Sequence, residues 1–185
     1  LDEIYDSLDS RQKVICERMF KTITAKNEEQ TGFRKPASLG SISRIAQCTV
    51  EEAAEVVESF RKPGRSFLFP SAAVALNQHS MVELSHESLI RNWERLSVWV
   101  AEEAESIKMY IRLSEASALY QQGRTELLKP PELQIALRWK ETQQPTPAWG
   151  IQYNPAFERA MVFLNTSEEE HLWQEERKVV LQRRK

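Results

Sequence analysis

Apolar residues recur at helical spacing along most of this chain and at strand spacing in one short stretch. Val14, Ile15, Met19 and Ile23 fall on one face of a helix that Asp9 or Ser10 is placed to cap. Residues 24–32 are polar and read as a loop. Phe33-Arg34-Lys35-Pro36-Ala37 reads as a short extended piece. Ser38 then opens a short helix carrying Leu39, Ile42, Ile45 and Ala46. Thr49 caps the next, with Glu52 three residues on to complete a capping box. Its apolar stripe is Ala53, Val56, Val57 and Phe60, and Pro63-Gly64 stops it. Two extended runs follow, Ser66-Phe67-Leu68-Phe69 and Met81-Val82-Glu83-Leu84. Residues 70–80 join them as a loose hairpin.

Helix, short helix, helix, hairpin is the order of a winged-helix domain, which the pattern predicts over residues 1–85. The remainder reads as helix. Ser85 is placed to cap a helix through Leu89, Trp93, Leu96 and Val100; a second carries Ile107, Ile111, Ser114 and Ala118 and ends near Gly123. Pro130-Pro131 opens a third with Leu133, Ala136, Leu137 and Trp139. After a loop over 143–154, Asn154-Pro155 pairs a cap with proline at the first helical position. The last helix carries Phe157, Met161 and Leu164, and either runs on or restarts at Thr166 or Ser167. The predicted fold is therefore mainly α. A winged helix with its small β-hairpin is followed by an antiparallel helical bundle or arm over 86–167. A charged helical linker to a following domain occupies 168–185. Trp99, Trp139, Trp149 and Trp173 are candidate docking aromatics, with core packing the plainer role for the first two.

Composition narrows the function classes. Of 185 residues, 41% are hydrophobic and 28% charged, with a net charge of −2, so no global field draws the chain to nucleic acid or anionic lipid. No apolar run approaches the ~18 residues that would span a membrane. Leu1-Asp2-Glu3 is neither a signal peptide nor a natural start, so the chain is expected to be a piece of a longer cytoplasmic protein. Cys16 and Cys48 stand apart inside apolar patterns and read as reduced, buried thiols. A phosphate-cradling G-x-x-x-x-G-K-[ST] is absent. His86-Glu87 begins the zinc-protease pattern, but Ile90 occupies the place of the second histidine. Ser85, His86 and Glu87 are consecutive and cannot face one another as a triad. His79 reads as a loop residue and His171 as a helix-surface residue, and Asn165-Thr166-Ser167 as a chance glycosylation match. The chain is thus expected to be no enzyme, with no catalytic residue and no metal site. As the recognition helix of a DNA-binding winged helix, the segment bearing Glu51, Glu52, Glu55 and Glu58 would repel phosphates. Only Arg61 and Lys62 oppose them, so nucleic acid is not an expected partner. A winged-helix DNA-binding regulator with a helical dimerisation region is the alternative.

The polar cluster Ser85-His86-Glu87 stands where a strand is predicted to turn into a helix. Free N–H groups at such a start attract anions, and a histidine there can donate a ring N–H to a phosphate. The plainer role is a capping serine beside a locally bonded histidine. Leu84-Ser85-His86-Glu87-Ser88-Leu89-Ile90-Arg91-Asn92-Trp93 resembles the Ser-His-Glu-x-Leu-Ile-Arg-x-Trp signature of the bacterial novel STAND NTPases, signalling ATPases related to the NACHT, apoptotic and plant-resistance NTPases. The likeness continues more diffusely through Trp93–Trp99, Leu127-Leu128 to Trp139, and Phe163-Leu164-Asn165-Thr166-Ser167. In relatives, a hydrophobic-His-Asp motif at the end of the winged helix touches the β-phosphate of ADP and holds a closed state. Ser85 stands here in place of the hydrophobic residue and Glu87 in place of aspartate. The resemblance implies phosphate sensing by His86 with Ser85 and Glu87, in company with an upstream NTPase domain that binds ADP or ATP with Mg. It also implies a downstream sensor, often a WD-repeat propeller, and a homo-oligomer on activation. Arg91, Trp93 and Trp99 are candidate docking residues of the helical arm.

Overall fold

The computed structural model describes residues 1–184, so the predicted linker over 168–185 loses only Lys185 to the undescribed part. The chain is mainly helical with small antiparallel sheets, and it divides into two compact units, Leu1–Glu105 and Ser106 onward.

The first unit opens with α1 (Asp2–Ser7) and α2 (Ser10–Thr22). Asp9 caps α2: its carboxylate accepts from Gln12 N–H, and the Gln12 side chain reaches back to Asp9 N–H, closing a capping box. The polar stretch predicted as a loop is instead a hairpin. β1 (Thr24–Lys26) pairs antiparallel with β2 (Gly32–Arg34), and a tight turn at residues 27–31 joins them. The turn uses Asn27, whose side chain accepts from Thr31 N–H, and Gln30 at φ 66°. These strands are three residues long, and they bury Thr24 while exposing Phe33, the reverse of the apolar-in, polar-out alternation by which a strand is legible.

β3 (Ala37–Ser38), α3 (Leu39–Ala46), α4 (Val50–Arg61), β4 (Leu68–Phe69) and β5 (Met81–Leu84) follow. β5 is the central strand, flanked by β3 on one side and β4 on the other, both antiparallel. Ser38 caps α3, and Thr49 with Glu52 closes the predicted capping box of α4. α2, α3 and α4 bury Met19, Phe20, Leu39, Ile42, Val56, Val57 and Phe60 against Val82 and Leu84 of β5.

α5 (Ser88–Asn92) is short, and α6 (Glu94–Gln121) is long and continuous. Two expectations change here. Trp93 takes an extended conformation (φ −99°, ψ 102°), which breaks the helix predicted from Ser85 to Val100. Its ring sits among Phe20, Phe60 and Trp99, with centroids 5.2, 6.3 and 5.5 Å away; burying that ring outweighs one helical hydrogen bond. Conversely, the two helices predicted on either side of residue 105 are the single helix α6.

In the second unit, α7 (Glu132–Gln143), α8 (Pro147–Gly150) and α9 (Phe157–Arg183) accompany the rest of α6. α8 lies inside the predicted loop, with Thr146 accepting from Trp149 N–H. Asn154 does not cap α9 directly. Its side chain accepts from Ala156 N–H, and the helix starts two residues later than Pro155 implied, at Phe157. Tyr110, Trp139, Trp149 and Phe157 form the aromatic centre. Gly150 is required there, because a Cβ would lie 2.5 Å from the Phe157 ring. α9 then runs unbroken into the charged segment. Among the described residues no helix is long and apolar enough to cross a membrane.

Candidate functional site

Ser85, His86 and Glu87 link β5 to α5, and the backbone explains their placement. Val82 and Leu84 alternate into the core, while Met81 is exposed and Glu83 half-buried. Ser85 prolongs the ladder by donating its N–H to Phe67 O at 3.0 Å, and is itself buried. It therefore extends the β4–β5 pairing one residue past the end of β5, and the predicted capping role does not exist. The residue at the helix N-cap is Glu87, whose side chain makes no capping bond. Leu89 N–H reaches His86 O at 3.2 Å and Ile90 N–H reaches Glu87 O at 3.0 Å, a tight turn into five helical residues. So short a helix has little macrodipole, and the anion attraction expected of a helix start is correspondingly weak.

His86 and Glu87 are exposed between two buried anchors, Ser85 on one side and Ile90 on the other. Among the described residues nothing hydrogen-bonds the His86 ring. Its imidazole is held at a fixed point of the backbone with both nitrogens open to an external partner.

Arg34 on β2, a residue that the sequence did not single out, organises this corner. Its guanidinium meets Glu83 at 3.2 Å, donates to Leu84 O at 3.3 Å and lies 3.9 Å from Glu87. Its Nε is enclosed without a hydrogen-bond partner. The β1–β2 hairpin thus grips the junction from the residue before Ser85 to the residue after His86. Gly32 makes the approach possible, since a Cβ there would stand 2.6 Å from Ile90 Cγ2. Pairings across fifty residues leave no local signature, which is why sequence reasoning passed over Arg34.

The remaining candidates separate. Arg91 is exposed on α5. Trp93 and Trp99 are core residues: the Trp93 indole donates to Asp2 Oδ1 at 2.8 Å, and Trp99 packs on Tyr5 and Phe20. They are not free to dock a partner in this conformation. Trp139 and Trp149 are likewise buried, and of the aromatics proposed for docking only Trp173 faces solvent. Cys16 is buried and desolvation pushes its thiol up, while Cys48 is half-buried.

On α4, Glu51 and Glu55 face solvent, Glu52 is paired with Arg11, and Glu58 with Arg61. Arg61 itself is turned inward, its guanidinium bonded to Pro70 O and Ser71 O. One of the two cations credited to the end of this helix is therefore committed to the fold. Among the described residues no cluster of three His, Cys, Asp or Glu side chains is arranged to hold a metal ion.

The family model described as Novel STAND NTPase 1 matches residues 1–126. The chain belongs to this family. No curated protein and no solved structure matches it. The family match covers the whole first unit of this novel STAND chain, including the Ser85-His86-Glu87 junction and Arg34, and ends five residues beyond α6. Helices α7, α8 and α9 lie past it.

Proposed function

We propose that this novel STAND chain is the non-catalytic regulatory segment of a bacterial, cytoplasmic signalling ATPase. It couples the state of the nucleotide on an upstream NTPase domain to a downstream sensor, of repeat or WD-repeat type, and to oligomerisation. Family membership supports this, and the observation that carries it is the exposed His86 ring held between buried Ser85 and Ile90. On this reading residues 1–85 are a winged helix. The order α2, β3, α3, α4, β4, β5 with β5 between β3 and β4 supports that assignment. Residues 86–167 are the arm and 168–185 the linker to the sensor.

ADP or ATP with Mg would be held chiefly by the NTPase domain, because this segment offers one open imidazole and no backbone cradle. Glu83 and Glu87 beside His86 make a poor phosphate pocket unaided. His86 would donate one ring N–H to a phosphate oxygen, while Ser85 and Glu87 fix its backbone. A contact made in only one nucleotide state shifts the closed–open equilibrium by its differential free energy. One charge-assisted hydrogen bond is worth ~1.5–3 kcal/mol, about ten- to a hundredfold in population.

The test is His86→Ala in the protein that carries this segment joined to its NTPase domain. ADP should dissociate about tenfold or more faster and basal signalling should rise, with an unchanged melting temperature because the side chain is exposed. Equal ADP retention by variant and wild type would remove His86 from the switch. Purified residues 1–185 should hydrolyse no ATP; turnover by that fragment would overturn the non-catalytic reading.

A further inference from the structure

We infer that the far half of α9 is a self-association surface, covered by the same segment of a second copy of this chain running antiparallel. The near half of α9 buries Ala160, Phe163, Leu164 and Ser167. Beyond Ser167 the burial stops, and residues 172–184 are exposed without a break while the helix continues to Arg183. A helix of that length with no tertiary contact is marginal in water. It also carries what a solvated helix does not need. Leu172, Trp173, Val179 and Val180 are 54%, 51%, 46% and 50% exposed. The spacing of seven between Leu172 and Val179, and between Trp173 and Val180, puts all of them on one side of the helix. Arg177 covers only part of the Trp173 ring, at 4.5 Å from its centroid.

Charge selects the occupant. Residues 168–176 contain Glu168, Glu169, Glu170, Glu175 and Glu176 and no Lys or Arg; residues 177–184 contain Arg177, Lys178, Arg183 and Arg184 and no Asp or Glu. This order also suits the helix's own dipole, but the dipole gives no reason for an apolar stripe between the charges. A parallel second copy would set carboxylates on carboxylates. A copy reversed about residues 176–177 sets Glu176 against Arg177 and Glu170 against Arg183, while Glu175 and Lys178 are already paired with each other within the helix at 3.0 Å. The same reversal lays Trp173 on Val180. Residues 168–183 span about 24 Å of helix, so two such segments form an interface at the small end of the range. The dimer is expected to be weak, with a Kd on the order of tens of micromolar. This surface does not depend on the nucleotide reading of His86.

The experiment uses the whole 185-residue chain. Sedimentation equilibrium should show a reversible dimer whose Kd rises about tenfold between low and high salt. Val179→Gln combined with Val180→Gln, which removes the apolar stripe with a good helix former, should weaken it at least tenfold, with the melting of the two cores unchanged since both residues are exposed. Orientation is read by disulfide trapping in a Cys48→Ser background, where the remaining Cys16 is buried. In the antiparallel pair two copies of position 170 stand about 20 Å apart, far beyond disulfide reach. Glu170→Cys chains mixed with Arg183→Cys chains should therefore cross-link, and neither should cross-link alone. A chain that stays monomeric at every concentration, or either variant cross-linking with itself as readily as the mixture does, overturns the inference. Monomeric behaviour would assign the stripe to a following segment or to another protein.

Discussion

The two units bury their aromatic rings in different ways. In the first, Phe20, Phe60, Trp93 and Trp99 meet ring to ring, surrounded by aliphatic side chains from α2, α3, α4 and β5. The polar atom of Trp93 is led outward to Asp2, a surface residue. In the second, Tyr110, Trp139, Trp149 and Phe157 also meet ring to ring, but rings and backbone are tied in addition through buried hydroxyl groups. Tyr110 donates to Asn154 O at 2.6 Å, Trp139 to Ser106 Oγ at 2.8 Å, and Arg159 Nε to Ser117 Oγ at 2.9 Å. Leu128 N–H donates to Ser167 Oγ at 3.1 Å. An apolar core is specified by volume, and a polar one by partners. The first unit should therefore be sensitive to lost volume and the second to lost hydroxyls. The family match covers all of the first core and only part of the second.

The first core should be most vulnerable to a loss of volume at its centre. Phe20 is fully buried and touches the rings of Phe60, Trp93 and Trp99. Phe20→Ala should destabilise the first unit by ~3–5 kcal/mol, measured by denaturant titration followed through Trp fluorescence. A loss under ~1 kcal/mol would mean that the core re-packs freely and is not specified by volume. The junction at Ser85 should loosen with it, since Leu84 and Trp93 lie on either side and both belong to that core.

The same contrast is sharpened by two indole partners. Ser106→Ala leaves the buried Trp139 N–H without an acceptor and should cost ~1–3 kcal/mol. Asp2→Ala removes the acceptor of the Trp93 N–H at the surface, where water can replace it, and should cost ~0.5 kcal/mol or less. Equal losses from the two substitutions would erase the distinction between a volume-specified and a partner-specified core.

Legibility in the sequence follows the same division. Caps and stripes are local, so the helices at Asp9, Ser38 and Thr49 and the strands around Leu68 and Val82 were readable from spacing alone. The Ser85-His86-Glu87 cluster was readable as a place, but not as a geometry. Whether Ser85 caps a helix or extends a strand pairing depends on Phe67 O, eighteen residues away, and on the pull of Phe20 and Phe60 on Trp93. Phe33 and Arg34 of β2 fall in the stretch that reads as extended, but β1 reads as loop because its buried residue is Thr24 and the exposed residue across the pair is Phe33, and the partners of Arg34 are far along the chain. The break at Trp93 illustrates the general limit. The residues from Ser88 to Trp99 fit a helix well, and a tertiary contact overrides the local preference.

The smallest expected effect concerns the surface of the first unit. Arg11 on α2 and Glu52 on α4 form an exposed ion pair, and Glu52 also closes the capping box at Thr49. The hydrogen bond from Arg11, followed by the Thr49 backbone N–H, lowers the Glu52 carboxyl from 4.5 to about 2. A carboxyl lowered by folding contributes stability that is fully present above its unfolded value of 4.5 and is lost as pH falls through the folded value near 2. Glu52→Gln keeps a side chain able to complete the capping box, so it removes the charge and little else. The native chain should exceed this variant slightly in thermal stability at pH 7, and the gap should close between pH 4.5 and 2. High salt at pH 7 should shrink the gap as well, because the pair is open to solvent. A gap that is the same at pH 7 and pH 2 would show that Glu52 acts through its capping geometry, not its charge. A gap as large as that of Phe20→Ala would place the first unit's specification at its surface and undo the contrast between the two cores.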